Sequence, residues 1–187
     1  MICVGIDPAQ DGFHAVALMR NAEGEVYMET FREIEKIDKK IPPLRCSVLY
    51  RVSDRAYRML GALRVMWDDP DEDNSMYVFI EEPFAGPRNL RTALKLAQTV
   101  GAIAAGVGEY TRRVYLASIP KWKEATSGAG NAGKPQVALW LNQMHPAYAA
   151  LCDGSQDLID ACCISLYGLG VIADAELVRT VGGAGQL

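Results

Sequence analysis

Four acidic residues stand where apolar segments of this chain stop or start. Asp7 closes "MICVGID", Glu81 closes the apolar part of "SMYVFIEE", and Asp157 and Asp160 open the long apolar run "QDLIDACCISLYGLGVIA". Taken singly, each has an ordinary explanation: acids are common at strand ends, and an i, i+3 acidic pair usually marks a wet helix face. Taken together they are harder to dismiss. Asp157 and Asp160 project the same way from a helix and repel each other. At the head of a helix that is otherwise apolar, two anions cost free energy unless a cation compensates. Hard carboxylate oxygens suit Mg²⁺, with Mn²⁺ as a substitute. Such ions activate water and stabilise a leaving oxygen in phosphodiester hydrolysis.

Cations gather in one part of the chain. The net charge is −4, yet Gly86 to Lys134 carries Arg88, Arg91, Lys95, Arg112, Arg113, Lys121, Lys123 and Lys134 against Glu109 and Glu124. A local basic surface attracts polyanions even on an acidic protein, because salt screens the distant charges. Arg88, Arg91 and Lys95 recur at i, i+3 and i+7, so they share one helix face. The acidic run "DDPDED" (Asp68–Asp73) reads as a solvated loop.

The stretch "SGAGNAGKPQV" matches a dinucleotide-type G-x-G-x-x-G at Gly128, Gly130 and Gly133, and nearly a P-loop ending in Lys134. Both motifs need a strand before the glycines, and the P-loop needs a Ser or Thr after its lysine. Here "PKWKEATS" reads as helix and position 135 is proline, so no nucleotide cofactor is expected. What is left is a flexible loop that carries Lys134 to a helix N-terminus, where free amides suit a phosphate.

These residues need elements to hold them. "MICVGID", stopped by Pro8, reads as a buried strand, followed by "FHAVALM" and "EVYMETF" across the turns "DPAQDG" and "NAEG". That is a three-stranded antiparallel meander. Residues 32–52 read as a loop or insertion, and a helix starts at Ser53. "SMYVFIEE" and "RRVYLAS" read as two further strands and "RNLRTALKLAQTVGAIAAGVGEY" as the helix between them. "IPKWKEATS", the run opened by Pro135, and "SQDLIDACCISLYGLGVIA" read as helices. The fold class is therefore α/β: a mixed five-stranded sheet, three antiparallel strands then two parallel, flanked by helices.

The length, 187 residues, fits one domain over 1–175 with a flexible tail over 176–187. Five cysteines without C-x-x-C spacing point to a reducing, cytoplasmic compartment, and Cys162 and Cys163 read as buried small hydrophobes. The N-terminus has no basic leader with a cleavage site, and no apolar run is read as long enough to cross a membrane. His14 and His145 read as structural or solvent-exposed.

The motifs resemble those of RuvC-type Holliday junction resolvases, in the RNase H-like superfamily. "GIDP" resembles the family's first-strand motif, "FIEEPFAGPRNLRTALKLAQTVG" its I-E-x-x-F segment with the helix that follows, and "QDLIDA" its D-x-x-D pair. The similarity runs from about Met1 to Gly170 and is weakest between Arg32 and Val52. The resemblance implies that Asp7, Glu81, Asp157 and Asp160 bind the catalytic metal. Glu82 remains the adjacent alternative to Glu81, on the opposite strand face. It also implies that Lys123 and Lys134 lie near the scissile phosphate and that Phe84 stacks at the opened crossover. Arg88, Arg91, Lys95 and Lys121 complete the expected DNA-binding set. The partner is then branched DNA, a four-way junction cut by a homodimer, in a bacterial cell or a phage-infected host. The family's glycine after "GIDP" is Ala9 here. Competing expectations are an RNase H-like nuclease for other branched or hybrid substrates, and a junction-binding protein without activity.

Overall fold

The computed structural model describes residues 1–20, 24–34, 45–66, 76–84 and 90–183, with side chains described as far as Asp174. In chain order the elements are β1 (Ile2–Ala9), β2 (Gly12–Arg20), β3 (Val26–Ile34), α1 (Arg45–Met66), β4 (Met76–Glu81), α2 (Leu90–Val107), β5 (Val114–Ala117), α3 (Ile119–Ser127), α4 (Lys134–Met144), α5 (Pro146–Leu151) and α6 (Gln156–Gly183). The strands form one sheet in the order β3-β2-β1-β4-β5. β1–β2 and β2–β3 pair antiparallel; β1–β4 and β4–β5 pair parallel. This is the mixed sheet expected from the sequence, with helices on both faces.

Each strand alternates between two cores. Ile2, Val4 and Ile6 of β1 join Val78 and Ile80 of β4 under α1 and α2. Cys3 of β1, with Val16, Leu18 and Phe79, faces the opposite helices through Trp122, Leu141 and Leu158. β1 is central and reads as a continuous apolar run because both of its faces are covered. The period of two carries on to the strand ends. It therefore puts Asp7 on the same face as Cys3, and Glu81 on the same face as Phe79. Glu82, one residue on, falls on the other face. Glu81 thus shares a face with Asp7, and Glu82 does not.

The backbone of α6 lies directly on β1. A Cβ at Gly5 would overlap the Ala161 carbonyl oxygen and the Ser165 backbone nitrogen, and one at Gly168 would overlap the Phe79 ring and Cys3 Sγ. The Ser165 hydroxyl donates to the Cys3 carbonyl at 2.7 Å, and the Cys3 thiol donates back to the Ser165 carbonyl at 3.3 Å.

Several expectations need correction. α1 begins at Arg45, not Ser53, so the end of the expected loop over 32–52 is helix and its start, to Ile34, is strand. Val48 and Val52 extend the buried stripe of Ala56, Met59 and Leu63. Arg45 anchors the start: its guanidinium donates to the Gln10 and Lys95 carbonyls, Asp11 Oδ1 and Thr99 Oγ1. β1 runs through Pro8 to Ala9, because Pro8 lies beyond Ile6, the last residue of β1 paired with β4. Gly12 is the first residue of β2, opposite Ala9, so the turn is Gln10-Asp11. The short helix α5 was not foreseen. α6 continues as helix to Gly183, into the span expected to be a tail. By length and composition, Gln156–Asp174 is apolar enough to cross a membrane, contrary to the reading above; half of it is buried against the sheet, as suits a core helix. The run Asp68–Asp73, residues 35–44 and residues 184–187 lie outside the described residues.

Replacing Gly5 with alanine forces a methyl into the α6 backbone. Gly5→Ala is expected to lower unfolding stability by about 2 kcal/mol or more. Gly170→Ala, on the same helix with open space around it, is expected to raise stability by about 0.5–1 kcal/mol. Urea denaturation of the two variants checks both.

Candidate active site

Strand register aligns one row of residues across the sheet. Asp7 is the partner of His14, and His14 of Arg32. Ile6 pairs with Ile80, so Asp7 and Glu81 come next side by side, and Glu81 pairs with Ala117. The row Arg32–His14–Asp7–Glu81–Ala117 lies on the α6 face of the sheet. The first turns of α6 bring Asp157 and Asp160 to it.

The four carboxylates share one electrostatic field. Burial first, then repulsion from Glu81, Asp160 and Asp157, pushes the Asp7 carboxyl from the ordinary 3.8 up to about 8, against the opposing pull of Lys134. Burial and then Asp160 push Glu81 from 4.5 up to about 7, while a hydrogen bond from Trp122 and the charges of Lys123 and Lys134 favour its ionised form. Asp160, only 8% exposed, is likewise raised, chiefly by burial. Gln156 Nε2 donates to Asp160 Oδ1 at 2.8 Å, and Trp122 Nε1 donates to Glu81 Oε2 at 3.2 Å. Among the described residues no three His, Cys, Asp or Glu side chains close on a point that would hold one ion. The carboxylates face a common space without forming a closed coordination shell.

The two site lysines meet this cluster from the α3–α4 side. Lys134 Nζ lies 3.6 Å from Asp157 Oδ1. Lys123 Nζ donates to the Ala132 carbonyl at 2.9 Å, and its charge acts on Glu81 and Asp160. The glycine loop between them follows helix α3, as the sequence indicates, but it is more ordered than a flexible linker. Gly128 closes α3 at φ 78°, in the left-handed region that glycine favours. Ala132 is buried and its N–H bonds the Ala129 carbonyl at 2.9 Å, while Gly133 N–H donates to Gln136 Oε1 at 2.8 Å.

His14, which the sequence reads as structural or solvent-exposed, stands mostly buried beside the cluster. Its Nδ1 lies 3.7 Å from Asp157 Oδ2. Burial and Arg32 lower its pKa from the ordinary 6.5, with Asp157 opposing. Only the Gln10-Asp11 turn, which fixes the hairpin register, sets His14 opposite Asp7. Trp122 was also missed, and no sequence pattern marks it. The other expected residues do not join the carboxylates. Phe84 is 67% exposed just beyond β4. Lys121 is exposed on α3; Arg91 is exposed and Lys95 half-buried on α2, the helix on the opposite sheet face. Arg88 lies outside the described residues.

No family model and no curated protein matches the chain. Solved structures do. The chain is similar to RuvC of Thermus thermophilus at 23% identity, covering 89% of this chain and 92% of that one with a TM-score of 0.64, and equally to the same protein in complex with a Holliday junction substrate. It is similar to the yeast mitochondrial Holliday junction resolvase Ydc2 at 11% identity, covering 95% of this chain and 83% of that one, with a TM-score of 0.56. The chain therefore shares the fold of these two resolvases.

The raised carboxyl of Asp7 has a measurable cost without divalent cations. The folded chain holds the Asp7 proton to about pH 8 and the unfolded chain releases it near 3.8, so stability declines across that window and is level above it. Asp7→Asn removes this decline. The variant is expected to match the parent near pH 4 and to exceed it by on the order of 2 kcal/mol at pH 8.5. Denaturant titrations in chelator at the two pH values check the sign and the window.

Proposed function

We propose that the chain is a metal-dependent endonuclease that resolves four-way DNA junctions by symmetric nicking, a crossover junction endodeoxyribonuclease of RuvC type. The observation that carries this reading is geometric: strand register sets Asp7 beside Glu81, and α6, packed on β1, presents Asp157 and Asp160 at that end with Asp157 3.6 Å from Lys134.

The donor set fits a divalent ion on chemical grounds. All four are hard oxygen donors, and their mutual repulsion, with burial, holds Asp7 and Glu81 well above the ordinary carboxylate range. Asp7, Glu81, Asp157 and Asp160 would hold Mg²⁺ or Mn²⁺, which when bound supplies a Lewis acid and an activated water for phosphodiester hydrolysis.

The chain's own groups do the rest. Trp122 fixes one Glu81 oxygen and Gln156 one Asp160 oxygen, so both carboxylates are oriented before substrate arrives. Lys134 rises from the first turn of α4 beside Asp157, and Lys123 is tethered to the loop. Both stand ready to offset charge on a phosphate entering the cluster. Phe84, exposed three residues past the end of β4, offers a flat apolar face to an unstacked base. Symmetric nicking of a two-fold junction calls for a two-fold dimer. The exposed Leu90, Leu94, Ala97, Gly101 and Ala105 of α2 form a stripe suited to a second copy.

A synthetic cruciform with labelled arms tests the reading. Paired nicks are expected with Mg²⁺ or Mn²⁺ and none in chelator. Intact protein that leaves the cruciform uncut in both metals, or that cuts RNA–DNA hybrids in preference to it, overturns the reading. Asp7→Asn and Asp160→Asn are expected to lower the single-turnover rate at least 10³-fold while changing junction affinity less than about threefold. Phe84→Ala is expected to weaken junction binding roughly 10-fold with little effect on linear duplex; gel-shift titrations separate the two.

A further inference from the structure

We infer that Arg32, on the β3 edge of the sheet, is a phosphate subsite that holds a neighbouring, uncut phosphate of the strand being cleaved. The inference rests on the nuclease reading above and deepens it. Arg32 is aligned with His14, which is aligned with Asp7, so Arg32 stands two strands along the same row. Two strand spacings place the Arg32 backbone roughly 10 Å from that of Asp7. The side chain is on the α6 face, because alternation along β3 groups it with Val26 and Met28, which pack against the core on that side.

The order along the rim is Lys134, Asp157, His14, Arg32. Lys134 and His14 sit at 3.6 and 3.7 Å from opposite oxygens of Asp157. The acidic centre repels DNA, so a strand crossing it needs cations on both flanks. Lys123 and Lys134 supply the α3–α4 flank, and Arg32 is the cation on the β3 flank of the row. Its contact in the free protein is weak: Arg32 lies 3.9 Å from Asp153 Oδ2, with the two side chains 51% and 87% exposed. A pair that open adds little to stability, so exchanging Asp153 for a phosphate is cheap. The guanidinium fork also matches two phosphate oxygens.

Equilibrium binding to a cruciform in the Asp7→Asn background tests this without cleavage. Arg32→Gln is expected to weaken binding about 5–10-fold and to reduce the slope of log affinity against log salt by about 0.9, one phosphate contact. Asp153→Asn is expected to leave binding unchanged or to tighten it. Methylphosphonate at one uncut phosphate, within about three of the scissile one, is expected to weaken the Arg32 protein and not the Arg32→Gln protein. Equal losses in Arg32→Gln and Asp153→Asn would make the pair structural and overturn the subsite. So would an unchanged salt slope, or methylphosphonate effects that are additive with Arg32→Gln at every position. A parent Asp7→Asn protein that binds no junction would instead overturn the nuclease reading, and the subsite with it.

Discussion

Four carboxylates do not gather by themselves; here the packing of one helix on one strand gathers them. Gly5 has no side chain, so the backbone of α6 at Ala161 and Ser165 descends onto β1. That contact sets how far Asp157 and Asp160 stand from Asp7 and Glu81. Leu158, Ala161 and Cys162, all fully buried, interleave with the two acids and tie the helix to the second core. Burial of this apolar surface offsets the cost of placing the acids there, which raises the Asp7 and Glu81 carboxyls through their own burial first and mutual repulsion second. Position is therefore set by backbone and core. This is also why the acids share a field without closing into a coordination shell.

Much of the scaffold was legible because its signals are periodic. The apolar run of β1, the alternation in β3 and the proline entry to α4 each name their element without help from the rest of the chain. The four acids were legible because their polarity breaks an apolar pattern. What escaped depends on contacts between distant segments. The first two turns of α1 read as loop because the sequence is charged and follows two prolines; Arg45 bonding five groups on the β1–β2 turn and α2 anchors them as helix. His14 escaped because a lone histidine on a strand carries no local signal. Only the register of the β1–β2 hairpin brings it to Asp157. Trp122 escaped for the opposite reason: a buried tryptophan is ordinary core, and its one polar atom reveals itself only by the partner it finds, Glu81 Oε2.

The glycine loop shows how a motif and its physics separate. Its spacing imitates phosphate-binding fingerprints, yet its glycines serve chain geometry. Gly128 ends α3 in the left-handed region, and Gly130 runs so close to Pro120 that a side chain would crowd the Pro120 carbonyl. The loop folds back on α3 and takes the Lys123 ammonium on its own Ala132 carbonyl. Lysine immobilised in this way has already lost side-chain freedom in the free protein, so any anion it met would cost less ordering.

Lys134 breaks a local rule. A cation in the first turn of a helix opposes the positive end of the helix dipole, at a cost of about 0.3–1 kcal/mol. In α4 nothing in the first turn is acidic to relieve it. The compensation is tertiary: Asp157 lies across the gap at 3.6 Å, and Lys134 in turn favours the ionised forms of Asp7, Glu81 and Asp160. A residue that is unfavourable to its own helix and favourable to four acids on other elements is held there by tertiary contacts.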